Sequence, residues 1–405
     1  MWDHKVAINE IREIRTRTTA YLGVGAIKKI DDIIEALASQ GIKRVLCVTG
    51  HSSYKKTGAW NYVIAAFKKH GIDYVLYDKV TPNPTADSVD EATQMGLQFK
   101  AQGVIAIGGG SPIDAGKSAA ILMEYPHKTA RELFELTFIP AKAAPIVAIN
   151  LTHGTGTEVD RFAVVSIPEK EYKPAIAYDC IYPLYAIDDP ALMTGLSPDQ
   201  TRYVSIDAVN HVVEAATSVV ASPYSILLAQ ETVRLVSTYL PQALQHPTDL
   251  TARYFLLYAS LIAGISFDNG LLHFTHALEH PLSAVKPNLA HGLGLAMLLP
   301  AVLKQIYPAQ PEVLAALFTP VVGILKGEPA EAEKVAKAVE KWLFDLGVTS
   351  KLADEGYKEE DLDRLTELAM TTPSLDGLLS VAPVPASRDT IRTIYKESMT
   401  SYSAR

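Results

Sequence analysis

The sequence predicts an α/β half followed by an all-helical half, and three observations carry that expectation. Short β-branched runs alternate with amphipathic helical patterns up to Pro190. Such alternation marks parallel βαβ units and an open sheet. Beyond Pro183–Pro190 helical periodicity dominates, with few strand-like segments. The chain's 405 residues leave room for two or three domains at roughly 150 residues each. We therefore expect an α/β domain over residues 1–190 and an all-α domain over residues 191–405.

The strands are expected at Arg44–Thr49 (RVLCVT), Asp73–Tyr77 (DYVLY), Gly103–Ile107 (GVIAI) and Pro145–Ile149 (PIVAI). Ala59–His70 and Ala86–Gln102 read as amphipathic helices between them. Gly23-Val24-Gly25 reads as a structural turn. Tyr254–Phe267 (YFLLYASLIAGISF) is shorter than the ~20 apolar residues of a membrane helix and reads as a buried one. Glu331–Lys341 carries i,i+4 pairs such as Glu333–Lys337, the mark of a solvated helix face. Pro383–Pro385 reads as a turn before the last helix.

Apolar residues make up 48% and charged residues 20%, which places the chain among soluble globular proteins. A net charge of −8 with no long block of one sign argues against nucleic acid as a partner. The start, MWDHKVAINEIREIR, lacks the continuous apolar core of a secretory signal. Cys47 and Cys180 have no CxxC spacing and make no disulfide framework. A cytoplasmic protein with reduced thiols, free of membrane partners, is the expectation.

Two loops are candidates for phosphate. In GVIAIGGGSPIDAGKSAA (Gly103–Ala120) a buried strand runs into three glycines, then Ser111 as a helix N-cap and Pro112 in the first turn. A strand-to-helix turn explains the glycines alone. The free N–H groups and dipole of a helix start, approached through glycine, also make a diphosphate cradle, and the strand–glycine–helix context favours that reading. Asn150–Glu158 (NLTHGTGTE) follows the next strand, where a parallel sheet places its ligands, so Thr152 and Thr155 are candidate cofactor contacts.

The histidines suggest a metal. Ser197-Pro198-Asp199-Gln200 opens a helix on which Asp207 and His211 share one face at i,i+4. Taken alone, that pair favours a buried Asp–His hydrogen bond over metal ligation. Of the eleven histidines, however, four lie between 273 and 291. His276 and His280 are again i,i+4, with Pro281 expected to bend or end their helix. His291 opens a new apolar helix beside Gly292. Two helices and a helix start can bring Asp207, His211, His276 and His291 to one point, and nitrogen with carboxylate oxygen suits Fe²⁺ or Zn²⁺. His273 reads as a supporting or core histidine. Such an ion can lower the pKa of an alcohol or polarise a carbonyl, and His280, one turn from His276, could relay the proton.

At these residues the chain resembles the iron-containing (group III) alcohol dehydrogenase family, whose fold is shared with glycerol dehydrogenase and dehydroquinate synthase. GGGSPIDAGK is similar to the family's GGGS-x-x-D-x-x-K loop, which implies cofactor contacts at Gly109, Gly110 and Ser111 with Asp114 close by. VTPNPT (Val80–Thr85) matches another family segment. THGTGTEV resembles TAGTGSEV and implies contacts at Thr152 and Thr155, and Lys173 falls at the family's cofactor-binding lysine. D-x-x-x-H, H-x-x-x-H-x-L and HG are met by Asp207, His211, His276, His280 and His291. The resemblance implies four of these as metal ligands and His280 as the further histidine at the nicotinamide side.

Two departures bear on specificity. Many NAD-using members carry an Asp where this chain has Gly50. Without that carboxylate, Gly50, His51, Ser52 and Ser53 can surround a 2′-phosphate, helped by Lys55 and Lys56, so NADP(H) is expected over NAD(H). His153 replaces a small residue of the threonine loop. The resemblance thus implies a metal-dependent alcohol dehydrogenase or aldehyde reductase, transferring hydride between nicotinamide C4 and a small primary alcohol or aldehyde, and a homodimer or larger oligomer is the expectation from the family and from base rate. A dehydroquinate-synthase-like or glycerol-dehydrogenase-like enzyme is the alternative, with a non-catalytic metal- or nucleotide-binding protein third. The lyase needs basic groups for an anionic substrate, and from Arg202 to Pro300 only Arg202, Arg234, Arg253 and Lys286 are basic.

Overall fold

A computed structural model describes residues 2–5 and 9–402. The chain divides into two compact units. One comprises Thr16–Ser197 together with His246–Leu261; the other is built on Pro198–Gln245 and the chain from Ile262 onward.

The first unit holds β1 (Thr19–Leu22), α1 (Ile30–Ser39), β2 (Arg44–Gly50), α2 (Ser53–Lys56), α3 (Ala59–His70), β3 (Asp73–Val80), α4 (Ala86–Phe99), β4 (Gly103–Gly108), α5 (Gly110–Glu124), α6 (Ala130–Phe134), β5 (Ile146–Asn150), β6 (Phe162–Val164), β7 (Ala175–Ala177) and β8 (Tyr185–Asp188). Six strands form one sheet in the order β1-β8-β5-β4-β2-β3, and every pairing is parallel. β6 and β7 form a separate antiparallel pair.

Alternation along the strands explains why both faces are covered. Val45 and Cys47 of β2 pack with Ile33 of α1 and Phe67 of α3, while Leu46 and Val48 pack with Val89 of α4 and Ala119 of α5. A sheet buried on both sides needs nearly continuous apolar strands, as β2, β4 and β5 supply. The chain winds from β2 outward to β3, then returns to β4 on the other side of β2. Connections therefore diverge from the carboxyl ends of β2 and β4, which leaves a crevice at Gly50 and Gly108.

The second unit holds α7 (Pro198–Thr217), α8 (Pro223–Gln245), the C-terminal part of α9 (Leu250–Gly270), whose residues up to Leu261 belong to the first unit, α10 (Phe274–Val285), α11 (His291–Ile306), α12 (Pro311–Val322), α13 (Ala332–Asp345), α14 (Leu362–Thr371), α15 (Leu375–Ser380) and α16 (Arg388–Glu397). α7 packs on α8 and α11, and α10 on α11. α9 is longer than the apolar run that marks it. By length and composition it could cross a membrane, but 67% of its most apolar stretch is buried and its first turn carries the fully buried Arg253. It is a core helix. α10 does not end at Pro281 but continues one turn to Val285, with the proline buried. α5 is capped by Gly109 rather than Ser111, which lies in its first turn.

One buried ion pair fixes the loop after β5 to α5. The Lys117 ammonium, fully buried, donates to Asp160 Oδ1 at 2.8 Å, Thr157 Oγ1 at 2.9 Å, the Phe162 carbonyl at 2.8 Å and the Asp160 carbonyl at 3.0 Å. Removing only the cation strands a carboxylate in the interior. Lys117→Met should therefore lower the unfolding free energy by about 3–5 kcal/mol in denaturant melts, and adding Asp160→Asn should recover part of that loss.

Candidate metal centre and cofactor cradle

In the helical unit, i,i+4 spacing on α7 places Asp207 and His211 on one face, α10 supplies His276, and His291 is the first residue of α11. Gly292 makes this convergence possible. A Cβ on it would lie 2.1 Å from the Tyr203 carbonyl oxygen, so only glycine lets the start of α11 press against α7 one turn before Asp207.

Nε2 of His211 and of His276 each lie 3.5 Å from Asp207 Oδ1, and Nε2 of His291 lies 4.0 Å from the same oxygen. The rings of His211 and His276 stack at 4.5 Å, and Phe267 stacks on the outer face of His211 at 4.5 Å. Asp207, His211 and His276 are buried. Asp207 Oδ1 and His276 Nε2 have no hydrogen-bond partner, nor has His211 Nδ1. Asp207, His276 and His291 present ligand atoms within 4.8 Å of one another, and His211 joins them through Asp207. Buried imidazole nitrogens converging on one carboxylate oxygen, with Asp207 Oδ1, His276 Nε2 and His211 Nδ1 left without hydrogen-bond partners, fit a divalent ion.

Two carboxylates outside the expected set hold the rings. Glu214 Oε2 pairs with Nδ1 of His276, while its Oε1 accepts the backbone N–H groups of His273 at 3.1 Å, Thr275 at 2.6 Å and His276 at 3.2 Å. Glu279 Oε2 pairs with Nδ1 of His291. Each pair turns Nε2 toward Asp207, an arrangement that orients a metal-binding imidazole and raises its basicity. Glu214 lies seven residues from Asp207 and three from His211, on the same face of α7, and Glu279 lies three residues after His276; that helical spacing was the available signal.

The electrostatics follow from burial and these partners. Burial opposes charge on His276, yet Glu214 and Asp207 together push it up to about 9. Burial lowers His211 to about 4. Burial would raise Asp207, but the surrounding imidazoles, His211 foremost, hold its carboxyl below the usual range. His273 caps α10, accepting the Phe274 N–H at 2.7 Å, and its Nε2 meets Thr217 Oγ1 at 2.9 Å. It is a structural histidine. His280 is buried one turn beyond His276, its ring 5.9 Å from that of His291.

In the α/β unit, Gly109, Gly110 and Ser111 open α5 at the carboxyl end of β4, and Thr152 and Thr155 follow the neighbouring β5. A Cβ on Gly109 would lie 2.8 Å from Thr152 Cγ2, and one on Gly110 would lie 2.8 Å from Thr155 Cγ2. The glycines thus bring the helix start flush against the threonines. Thr155 Oγ1 is buried there with no hydrogen-bond partner. Backbone N–H groups at a helix start beside an unsatisfied hydroxyl fit a dinucleotide's diphosphate.

Gly50 ends β2, and His51 and Ser53 follow it, both exposed, at the crevice beside Gly108. Lys55 leans over the Tyr54 ring at 5.1 Å, and Tyr54 donates to Asp78 Oδ2 at 3.2 Å. Asp114 is turned to the protein: Oδ1 accepts from Thr157 Oγ1 at 2.7 Å and Oδ2 from the Val164 N–H at 2.9 Å. Burial raises its pKa, opposed by Lys117. Lys173 is buried on the segment leading to β7. Behind the threonine loop, Glu158 is buried beside Asp188; burial pushes both carboxyls up, Asp188 to about 7.

The family model for iron-containing alcohol dehydrogenase matches residues 17–190, and the model for the C-terminal part of that family matches residues 201–399. A long-chain primary alcohol dehydrogenase of Thermoanaerobacter ethanolicus is 63% identical over 98% of this chain and all of its own length. Alcohol dehydrogenase 4 of Schizosaccharomyces pombe is 31% identical over 89% of this chain and 83% of its own. Among solved structures, an NADH-dependent butanol dehydrogenase of Thermotoga maritima superimposes with a TM-score of 0.89 at 29% identity, covering 97% of this chain and 99% of its own.

Two measurements check the centre. Glu214→Gln keeps the shape of the side chain but weakens its hold on His276, so metal affinity by competition with a chelator should fall roughly 10–100-fold. The buried acids predict a pH effect. Carboxyls whose folded pKa is raised bind protons more tightly when folded, so they cost stability as pH rises from the unfolded value through the folded one. With Asp188 at about 7, melting temperature should decline between pH 4 and 7, and Glu158→Gln should flatten that decline.

Proposed function

The chain belongs to the iron-containing alcohol dehydrogenase family, and from that premise we propose that it interconverts primary alcohols and aldehydes, with NADP(H) favoured and Fe²⁺ or Zn²⁺ held by Asp207, His211, His276 and His291. Membership makes it an alcohol dehydrogenase that works with a nicotinamide cofactor and a divalent metal. The single observation that carries the residue assignment is the convergence of three Nε2 atoms on Asp207 Oδ1. The 63% identity to a long-chain primary alcohol dehydrogenase supports primary alcohols, longer chains included, as substrates.

When bound, the ion supplies Lewis acidity toward an alcohol or carbonyl oxygen, and the nicotinamide carries the hydride. The protein's part is to hold and orient. Asp207 is the one carboxylate among four neutral-or-anionic donors, so it offsets only half of a dication's charge and leaves the rest for an oxygen ligand. Glu214 and Glu279 keep Nδ1 of His276 and His291 occupied, which leaves each Nε2 as the donor atom. His280 is assigned the proton: its imidazole, one turn from His276, takes it from the alcohol or returns it to the product. The N–H groups at Gly110 and Ser111, with the Thr152 and Thr155 hydroxyls, hold the diphosphate. Gly50, where a carboxylate would repel a 2′-phosphate, supports the NADP(H) preference, with His51 and Ser53 beside it; Lys173 is retained as a further cofactor contact.

Initial rates with NADPH and NADH across straight-chain aldehydes, with metal content measured on the same sample, test this reading. NADPH should give the higher kcat/KM by about tenfold or more, and Gly50→Asp should reverse the order. A wild-type preference for NADH would overturn the cofactor assignment. His276→Ala should abolish metal retention and turnover together; full turnover without metal would overturn the centre.

A further inference from the structure

Arg253, in the first turn of α9, is the largest of the fully buried side chains. Taking a guanidinium out of water is costly, and such a group persists where its planar fork meets fixed acceptors. Nη1 of Arg253 donates to Nε2 of His153 at 2.9 Å, and its Nε donates to the Pro247 carbonyl at 3.0 Å. His153 is itself fully buried, in the loop after β5. Because its Nε2 accepts, the ring carries its proton on Nδ1 and is neutral. Burial and the adjacent guanidinium reinforce that state, pushing its pKa down to about 3.

The residue before His153 is Thr152, which stands against Gly109 and whose backbone N–H donates to Asn150 Oδ1 at 3.0 Å. The loop is thus gripped at two ends. Asp114 and Lys117 of α5 hold Thr157 and Asp160, and Arg253 holds His153.

We propose that Arg253 and His153 form a positioning pair for dinucleotide binding: the guanidinium, bonded to a neutral imidazole, fixes the backbone that sets Thr152 against Gly109. The proposal rests on the assignment of Gly109, Thr152 and Thr155 to the cofactor cradle. Arg253 touches no reacting atom in this role. It acts through His153.

The test compares His153→Gln, which still offers Arg253 an acceptor, with His153→Phe, which fills the space without one, and with Arg253→Met. Each metal-loaded protein is titrated with NADPH and NADH by nucleotide fluorescence, and kinetics and melting temperature are recorded alongside. His153→Phe and Arg253→Met should raise the nucleotide Kd about tenfold, the loss falling on nucleotide KM rather than kcat, whereas His153→Gln should stay within about threefold of wild type. If His153→Phe does not fold, Arg253→Lys, which keeps the charge but not the fork, takes its place against His153→Gln. Equal losses in the Gln and Phe variants, or a lowered melting temperature with unchanged Kd, would overturn the pair. A wild-type protein that binds neither nucleotide would overturn the cradle assignment itself, and the pair with it.

Discussion

A buried carboxylate ringed by imidazole lone pairs is an unbalanced arrangement unless a positive charge lies among them. Asp207 Oδ1 has three Nε2 atoms around it at 3.5–4.0 Å and no hydrogen bond. The helical unit is organised around maintaining that imbalance. α7, α10 and α11 meet there, Gly292 removes the side chain that would push them apart, and two glutamates hold the rings in register. In the proposed metal site a cation would meet donors already desolvated and oriented, and its binding would add to the stability of the fold.

The α/β unit solves a related problem with opposite sign. It gathers backbone N–H groups rather than lone pairs, and glycine again sets the distance, here between the start of α5 and the two threonines. Around that point the buried polar groups are tied inward. Lys117 and Asp114, one turn apart on α5, are spent on holding the loop. Thr155 Oγ1, beside Gly110 at the start of α5, is among the buried hydroxyls left without a partner.

Much of this was legible in the sequence because it is written at short range. β-branched runs marked β2 to β5 to within a few residues, and i,i+4 spacing paired Asp207 with His211 and put His276 one turn from His280. Glu214 and Glu279 were not singled out, since a glutamate in a helix resembles any solvated one until its burial is known. Asp114 looked like a cofactor residue because it sits in the glycine motif, whereas both its oxygens face the protein. Pro281 reads as a helix stop, yet tertiary packing carries α10 past it. The bond between His153 and Arg253 joins positions a hundred residues apart, and no local pattern announces a long-range contact.

The sheet's strand order also has a consequence for how the chain is made. β1 leaves the ribosome before the other strands of its sheet, and among the described residues its partner is β8, with Thr19 opposite Tyr185. At roughly 5–20 residues per second, synthesis leaves β1 waiting on the order of ten seconds or more for that partner. β2, β3 and β4 can pair among themselves in the meantime, whereas the β1 edge can close only once β8 has been made. Parallel pairings over such separations fold slowly, and a nascent chain truncated before Tyr185 would carry an orphaned first strand, a natural point for chaperone capture.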